Sequence, residues 1–337
     1  MVKPGFSLNK LVDILKASAE PTRMRLLVLL SSGDLTVSDL TDILSQSQPR
    51  ISRHLKLLSE AGLIERYQEG AWAWFRLRRE GEAAGLARKL VEEASHADAV
   101  ITRDQSRLAQ VRAARAEKAM AYFSRNAVGW DNIRKLHISE EKVETALREM
   151  VGDQPVDSLL DLGTGTGRLL QLFEGIYRHG MGIDASREML AVARANLEKS
   201  GIAKASIRQG DIFNLPLENG GYDLVTIHQV LHYLEDPHLA ISEAARMLRP
   251  GGRLVIVDFA PHGIETLRGE HLHARLGFSH QMMAEWLEKA GLDVIKTRDL
   301  EPENGAEALT VTIWLARDRR LEMADQQPAP KIASRRI

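Results

Sequence analysis

The stretch "DLGTGTGRLL", residues 161–170, has the pattern of a strand end, a glycine-rich turn and a helix start. Glycines stand at positions 163, 165 and 167, directly after a short apolar run. The dinucleotide-binding fingerprint GxGxxG needs its third glycine one position later, where this chain has Arg168. The stretch therefore predicts a turn that lets a ligand approach the backbone, and it leaves open which ligand binds.

Two carboxylates follow the glycine turn, each near the end of a further strand pattern. "YRHGMGID" ends in Asp184, 17 residues past Gly167, where a carboxylate can accept from both hydroxyls of a ribose. Asp184 also suits the cap of the helix that follows, and the two roles are compatible. "SIRQGDIFNLPL" puts Asp211 at the end of a third strand, in a position to accept from the exocyclic amine of an adenine.

Strand and helix patterns alternate over residues 156–316. "YDLVTIHQVLHYLEDP" is a fourth strand that runs into a helix, "MLRPGGRLVIVDF" is a helix, a turn and a fifth strand, and "LTVTIWLAR" is a late strand. This alternation is typical of βαβ units around a mostly parallel sheet. In this order the pieces resemble the class I S-adenosylmethionine-dependent methyltransferases. The resemblance implies an α/β Rossmann-like, mostly parallel seven-stranded sheet over residues 156–320.

The same resemblance implies a site for S-adenosylmethionine or S-adenosylhomocysteine. Asp161 and the glycine turn face the methionine part, Asp184 faces the ribose, and Asp211 with Ile212 faces the adenine. His228 closes over the cofactor near the sulfonium, whose charge is met by carboxylates and by aromatic or carbonyl groups. The implied cofactor-binding residues are Asp161, Gly163, Thr164, Gly165, Gly167, Asp184, Ala185, Met189, Asp211, Ile212 and His228.

Methyl transfer from a sulfonium is an in-line displacement, in which an enzyme aligns the nucleophile and sometimes removes its proton. The candidates for a base or for substrate contact are His228, His232, Tyr233 and His273. Three more histidines accompany them, namely His262, His271 and His280. The pair His271 and His273 has the spacing of metal ligands, but histidines in a connecting stretch are more often solvated or hydrogen-bonded, and we predict no metal.

Residues 124–155 precede the first strand of the sheet, where related enzymes fold a segment over the cofactor pocket. Tyr122, Phe123 and Trp130 are therefore predicted to be lid residues. An equal alternative makes them structural anchors of the helix that precedes this segment.

The amino-terminal region carries a different pattern, "LTVSDLTDILSQSQPRISRHLKLLSEAGLIERYQEGAWAWFRLR", residues 35–78. Thr36 and Asp39 have the spacing of a capping box at the start of one helix, and a second helix begins around Ser47. Its apolar positions Ile51, Leu55 and Leu58 turn a basic face outward. Residues 64–77 then alternate as a hairpin with a basic end. The pattern predicts an α+β winged helix-turn-helix over residues 1–80.

This region resembles the ArsR-type repressors over roughly residues 10–80. The resemblance implies a homodimer that binds a palindromic double-stranded DNA operator. The residues expected near DNA are Gln48, Arg50, Ser52, Arg53, His54, Lys56 and Arg76. Residues 1–80 hold 12 Lys and Arg against 9 Asp and Glu, a modest excess that fits an anionic partner. The alternative is a winged helix used only for protein contacts.

The chain departs from the metal-sensing repressors because it contains no cysteine. Those repressors carry a Cys-x-Cys pair in the helix before the turn, and Thr36 and Ser38 stand there instead. Neutral hydroxyls are poor ligands for soft metals. His96 and Asp98 resemble part of the family's other metal site, which is built from carboxylates and histidines, but no second His-x-x-Glu or His-x-x-His pair follows them. Metal sensing and arsenic methylation are both disfavoured.

Residues 81–123 have apolar residues at roughly helical spacing and predict one long linker helix. Its stripe packs against a second copy of the chain or, in the alternative, against its own domain. The polar, proline-containing tail at 321–337 is predicted to be disordered. The sequence shows neither a signal peptide nor an apolar run of membrane-spanning length, so a cytoplasmic location is expected.

Three functions fit these patterns. The first is a repressor whose methyltransferase-like domain senses S-adenosylmethionine or S-adenosylhomocysteine. The second is a working methyltransferase of a small molecule that also regulates transcription. The third is an enzyme whose winged helix serves only for dimerisation, and the basic face of the second helix argues against it.

Overall fold

The computed structural model describes the chain in six stretches. These are residues 6–69, 71–78, 81–94, 97–130, 139–302 and 309–320. The chain divides into two compact units, residues 1–119 and 120–337, and each is described by itself. Within the six stretches, no helix combines the length and the apolar composition needed to cross a bilayer. The tail predicted to be disordered lies outside the described residues.

The first unit has the helices and the small sheet of a winged helix. Its first helices are α1 (Leu8–Ser18), α2 (Pro21–Ser31), α3 (Val37–Leu44) and α4 (Gln48–Glu60), and its strands are β1 (Leu35–Thr36), β2 (Ile64–Glu69) and β3 (Trp72–Leu77). The sheet order is β1-β3-β2, with both pairs antiparallel. The α+β winged helix-turn-helix is therefore confirmed.

Local sequence signals set the starts of α3 and α4. The Thr36 hydroxyl accepts from the Asp39 N–H, and the Asp39 carboxylate accepts from the Thr36 N–H, which completes the capping box. Ser47 is the N-cap of α4, and Pro49 lies in the first turn, where a missing N–H is tolerated. The three inward residues of α4 are fully buried: Ile51, Leu55 and Leu58. The opposite face of α4 is therefore turned to solvent.

The prediction of one helix over residues 81–123 is corrected, because two helices occupy this region. They are α5 (Glu82–Glu92) and α6 (Ala99–Asn126). The Asp98 carboxylate accepts from the backbone N–H groups of Val100 and Ile101, and such a local acceptor starts a new helix instead of continuing an existing one. His96 lies outside the described residues.

Part of the apolar stripe on α5 and α6 packs on the core of the first unit. Leu108 is 5% exposed, and Leu86 and Val111 pack against the same cluster. Arg25 of α2 also forms a two-pronged ion pair with the buried Asp104 of α6, at 2.5 and 2.8 Å. These contacts favour the alternative in which the stripe lies on its own domain, and contact with a second copy stays a prediction.

The second unit is an α/β domain built on a seven-stranded sheet, as predicted. Its strands are β4 (Val156–Leu162), β5 (Tyr177–Asp184), β6 (Ala205–Gln209), β7 (Tyr222–His228), β8 (Leu248–Phe259), β9 (Leu292–Leu300) and β10 (Val311–Asp318). The order is β6-β5-β4-β7-β8-β10-β9, and β10 pairs antiparallel with its two neighbours while the other pairs are parallel. The Rossmann-like prediction is confirmed.

Short connections and helices cover the two faces of this sheet. The helices are α7 (Glu140–Val151), α8 (Arg168–Leu172), α9 (Arg187–Lys199), α10 (Pro237–Met247), α11 (Thr266–Glu270) and α12 (His280–Lys289), with 3-10 turns at Ala127–Gly129 and Leu231–Tyr233. Successive residues of β4 enter different core layers, since Leu159 belongs to one cluster and Leu160 to the other.

The topology opens a crevice beside β4. Because β4 lies between β5 and β7, the connections leave the middle of the sheet in opposite directions at the carboxyl ends of these strands. Ligands of open α/β sheets bind in such a crevice. The glycine turn follows β4, Asp184 ends β5 and His228 ends β7, so the topology brings these three features to the same edge of the sheet.

Candidate active site and DNA-binding surface

The backbone of the turn after β4 has a conformation that favours glycine, and the sequence has glycine at these positions. Gly163, Gly165 and Gly167 have φ values of 69°, 53° and 82°, in the left-handed region that glycine adopts without strain. A Cβ on Gly163 would lie 2.4 Å from the Val230 side chain. A Cβ on Gly165 would lie in ordinary van der Waals contact with Trp130, at 3.9 Å, and with the Gly163 carbonyl oxygen, at 4.0 Å, so the Trp130 ring lies next to the backbone at Gly165.

Asp184 is tied to the glycine turn by its carboxylate. One oxygen accepts from the Gly165 N–H and the other from the Ser186 N–H, each at 2.9 Å. Burial raises the pKa of Asp184 above its ordinary value, although the N–H groups of Ser186, Gly165 and Ala185 act in the opposite direction. Each oxygen keeps a lone pair for a further donor, so the carboxylate is held in a fixed orientation at the crevice.

Asp161 and Thr164 are more deeply buried than the sequence indicates. Asp161 is 1% exposed, and one of its oxygens accepts from the Thr226 hydroxyl at 2.6 Å. The Thr164 side chain is 6% exposed, and its hydroxyl lies where a Cβ on Gly182 would be 2.8 Å away. The Thr164 hydroxyl therefore faces β5, which leaves its backbone for contact with a ligand.

The remaining predicted cofactor residues are spread around the same edge. Asp211 is exposed and follows β6, which ends at Gln209, so its predicted place at the strand end is corrected by two residues. Its carboxylate accepts from the Phe213 N–H at 2.9 Å, a turn that ends the strand early. Ile212 packs partly on the core, Met189 is buried in α9, and Ala185 is exposed.

Aromatic and imidazole rings gather next to the glycine turn. We call the six residues Phe123, Trp130, His232, Tyr233, Phe259 and His273 the ring cluster. The Tyr233 ring lies 4.7 Å from Phe123 and 6.2 Å from Trp130, centroid to centroid. The His232 ring lies 4.1 Å from Tyr233, 4.2 Å from His273 and 4.8 Å from Phe259. Three of the four catalytic candidates therefore meet in one place.

His232 is held by a carboxylate that the sequence analysis missed. Its Nδ1 lies 2.8 Å from the Asp258 carboxylate, and the side chains of both residues are at most 2% exposed. The signal was present, because Asp258 stands near the end of an apolar strand pattern, as Asp161 and Asp184 do. His228, the fourth candidate, ends β7 outside this pair. Gln229 after it has a φ of 53°, a strained conformation of the kind that clusters at functional sites.

Two hydrogen bonds involve residues in or next to the segment predicted to be a lid, and the lid itself stays a prediction. Ser124 donates to the Glu188 carboxylate at 2.8 Å, and the hydroxyl of Tyr122 lies 2.7 Å from Nδ1 of His271. Residues 131–138 lie outside the described residues. The end of the predicted segment is instead the core helix α7, in which Val143 and Leu147 are buried.

The other histidines do not form a metal centre in the described part of the chain. His280 lies 3.1 Å from Asp299 at the surface, and His262 lies near the Phe259 ring. Among residues 6–320, leaving aside the gaps given above, no three histidine or carboxylate side chains have the arrangement of metal ligands.

The outer face of α4 presents most of the residues predicted to contact DNA. Those fully at the surface are Gln48, Arg50, Ser52, Arg53 and Lys56. His54 instead lies 3.6 Å from the Glu20 carboxylate, and burial followed by nearby arginines lowers its pKa. Arg76 forms an ion pair with Glu65 and lies over the Tyr67 ring. His54 and Arg76 therefore interact with residues of the first unit itself.

Two family models match the chain at the places where these sites lie. The model "Bacterial regulatory protein, arsR family" matches residues 20–66, and the model "Methyltransferase domain" matches residues 160–256. The chain joins an arsR-family helix-turn-helix domain to a methyltransferase domain.

Individual relatives match the second part of this chain. The uncharacterized methyltransferase YcgJ of Bacillus subtilis is 32% identical over 104 residues, which cover 31% of this chain and 41% of that protein. An arsenite methyltransferase of Aquipseudomonas alcaligenes is 36% identical over 110 residues, 30% of this chain and 32% of that protein. The chain thus spans less than half the length of either relative.

The crystal structure of YcgJ from B. subtilis also aligns with this chain. The TM-score is 0.46 at 18% identity, with 53% of this chain and 99% of that chain covered.

Proposed function

We propose that this protein is a DNA-binding transcriptional regulator whose second unit binds S-adenosylmethionine and methylates a small molecule. The proposal rests on one observation: a row of residues in contact with one another runs from the glycine turn to a candidate base. Gly165 borders Trp130, Trp130 lies beside Tyr233, and Tyr233 lies beside His232, which Asp258 orients. A pure sensor needs only the first of these features, whereas a transferase that removes a proton from its acceptor uses all of them.

The residues at the crevice suit S-adenosylmethionine. The glycines of the turn carry no side chains that would keep a ligand from the backbone, and Asp184 offers a fixed carboxylate for the ribose hydroxyls. Asp211 and Ile212 provide an acceptor and an apolar surface for the adenine. The bound cofactor supplies an electrophilic methyl group, and the chain itself orients the acceptor, excludes water with the ring cluster and accepts a proton.

The first unit supplies the second half of the proposal. The outer face of α4 carries Arg50, Arg53 and Lys56 at the surface, together with the hydrogen-bonding side chains Gln48 and Ser52. Arginine and lysine contact phosphates and guanine edges, and glutamine and serine contact base edges. These residues support binding to double-stranded DNA, as a homodimer on a palindromic operator.

A sensory role is a second candidate, and α6 favours it. Near its start, Arg107 donates to the Ser45 hydroxyl at 2.8 Å and to the Ile43 carbonyl at 3.0 Å, at the turn before α4. Near its end, α6 carries Tyr122 and Phe123 of the lid. α6 therefore carries residues that contact the turn before α4 and residues of the predicted lid, and we propose S-adenosylmethionine or S-adenosylhomocysteine as the effector.

Arsenic is not proposed as the substrate, although a relative is an arsenite methyltransferase. The chain contains no cysteine, and thiolates are the side chains that hold soft metalloids.

Two assays test the proposal. Incubation of the protein with methyl-labelled S-adenosylmethionine and a small-molecule extract should give a labelled product, and gel shifts with the DNA upstream of its own gene should give a specific complex. A specific DNA complex without labelled product would favour the sensory role over the methyltransferase activity. Labelled product without any complex, with or without cofactor, would leave the enzyme whose winged helix serves only for dimerisation.

A further inference from the structure

We infer that Nε2 of His232 is the proton acceptor for a hydroxyl group carried on a planar ring, so that the acceptor substrate is a phenol-type molecule. The inference rests on the proposed methyl transfer and names its substrate class. It is carried by the hydrogen bonds of Asp258, by the environment of Nε2 and by the shape of the ring cluster.

Asp258 fixes both the orientation and the tautomer of His232. Its carboxylate accepts from Nδ1 of His232 at 2.8 Å, from the His232 backbone N–H at 3.3 Å and from the Phe259 backbone N–H at 2.8 Å. A carboxylate can only accept, so the Nδ1 position carries the hydrogen. Nε2 then keeps its lone pair, which makes it the basic atom of the ring. Asp258 is thus a positioning residue.

Nε2 is the ring nitrogen of His232 that this arrangement leaves available. The His232 side chain is 2% exposed, and its hydrogen bonds within the described stretches all run to Asp258 or through its own backbone. The backbone is fixed as well, because the His232 carbonyl accepts from the Arg275 N–H at 2.9 Å. A substrate hydroxyl that reaches Nε2 would find a hydrogen-bond acceptor there.

The neighbours of His232 select for a flat, uncharged molecule. The His273 and Phe259 rings are stacked at 5.7 Å and 15°, and Tyr233 stands nearly perpendicular to His273 at 5.2 Å. Burial raises the pKa of Tyr233 well above its ordinary value, so this neighbour stays a neutral phenol. Aromatic rings favour stacked or edge-to-face partners, so the ring cluster suits a planar ring as substrate.

The proton balance of the reaction follows. The hydroxyl oxygen forms a bond to the methyl carbon as the bond from that carbon to sulfur breaks, and the sulfur leaves as a neutral thioether. The hydroxyl proton moves to Nε2 of His232 and later passes to water. The imidazolium formed in between is stabilised by the Asp258 carboxylate.

The test uses a ring that reports its own ionisation. 4-Nitrophenol is added to the full-length protein saturated with S-adenosylhomocysteine, and the visible absorption of its phenolate is recorded one pH unit below the pKa of the free probe. Free probe is then about a tenth ionised. We expect at least half of the bound probe to be ionised, and nitrobenzene to bind at least tenfold more weakly.

Three variants test whether His232 causes the extra ionisation of the bound 4-nitrophenol. His232→Gln should abolish the extra ionisation, Asp258→Asn should reduce it, and His280→Gln, which alters an exposed histidine paired with Asp299, should leave it unchanged. S-adenosylhomocysteine affinity, measured by calorimetry, verifies that each variant is folded. If a variant does not fold, the test rests on the phenolate absorption of 4-nitrophenol bound to the wild-type protein.

Three results would overturn the inference: no binding of either ring, equal binding of both rings, or an ionised fraction that His232→Gln does not change. Each leaves the proposed methyl transfer standing as long as S-adenosylhomocysteine binds. Loss of that binding in the wild type would instead remove the proposed function.

Discussion

The hydroxyl of Tyr122 lies 2.7 Å from Nδ1 of His271, so a hydrogen bond joins the end of α6 to the segment that follows β8. Tyr122 is 8% exposed, and its ring also contacts Phe123 and Trp130. The bond therefore fixes the side of the lid that borders the glycine turn.

Tyr122→Phe keeps the ring and removes this bond. A neutral hydrogen bond contributes about 0.5–1.5 kcal/mol, so we expect S-adenosylhomocysteine to dissociate roughly 2- to 10-fold faster in stopped-flow measurements. Tyr67→Phe is the matched control, because the Tyr67 hydroxyl donates to Asp34 in the first unit. Equal dissociation rates in Tyr122→Phe and the wild type would show that the bond has no part in retaining the cofactor.

Asp184→Ala should weaken binding of the cofactor. The substitution leaves the ribose hydroxyls without their acceptor and releases the Gly165 N–H, at a cost of roughly 1–3 kcal/mol, and calorimetry with S-adenosylhomocysteine measures it. Glu198→Ala, which removes an exposed carboxylate at the end of α9, is the control. DNA binding without cofactor should be unchanged in both variants, and a similar loss of cofactor affinity in Glu198→Ala would discount the assignment.

Cofactor affinity should also depend on pH through Asp184. Burial raises the pKa of this carboxyl, so affinity should begin to fall at a higher pH than for an ordinary aspartate, whose pKa is about 3.9. The stability of the domain without cofactor changes with pH in the opposite direction. A raised folded-state pKa gives the empty domain stability that is present below the unfolded pKa and lost as the pH rises through the folded one.

Calorimetry and thermal unfolding over a pH series verify both trends in the wild type. Asp184→Asn, which has no titrating group, should flatten both curves. A wild-type affinity that is constant down to the pH at which ordinary aspartates titrate would contradict this prediction.

Arg53→Ala should weaken operator binding and lower the slope of log affinity against log salt by about one unit, as for one lost phosphate contact. Arg76→Ala is the informative comparison. Because Arg76 pairs with Glu65 and lies over Tyr67, its loss should affect the hairpin and leave the salt slope nearly unchanged. Gel shifts at several salt concentrations decide, and an unchanged slope in Arg53→Ala would rule out α4 as the DNA-reading helix.

Arg25→Ala should destabilise the first unit by about 3 kcal/mol in urea unfolding, because it leaves the buried Asp104 without its two-pronged partner. Lys56→Ala breaks an exposed pair with Glu60 and should change stability by less than about 0.5 kcal/mol. Replacing Arg25 and Asp104 together by Leu should cost less than Arg25→Ala alone. A larger cost for the double variant would mean that the side-chain volumes, and not the charge, matter at this site.

Short-range patterns explain why so much of the fold was predictable. Thr36 and Asp39 of the capping box are three positions apart, and the glycine turn is recognisable from the five residues 163–167. The start of α3, the turn after β4 and the position of Asp184 at the end of β5 all follow from signals of this length. They need no knowledge of distant parts of the chain.

The parts that escaped prediction depend on contacts between distant residues. Asp258 meets His232 across 26 positions, and Tyr122 meets His271 across 149. The inward turn of the Thr164 hydroxyl is likewise set by packing, which no local pattern encodes. The break between α5 and α6 was a local signal at Asp98, and the helical spacing on either side of it concealed the break.

Asp39, at the start of α3, is 2% exposed and forms an ion pair with Arg115 of α6. In the metal-sensing repressors that this domain resembles, the same helix carries the cysteines whose state changes with the supply of metal. Here Thr36 and Ser38 stand at the positions of those cysteines, and the neighbouring Asp39 is held by a charge pair. The start of α3 is thus fixed by groups that the chain itself supplies.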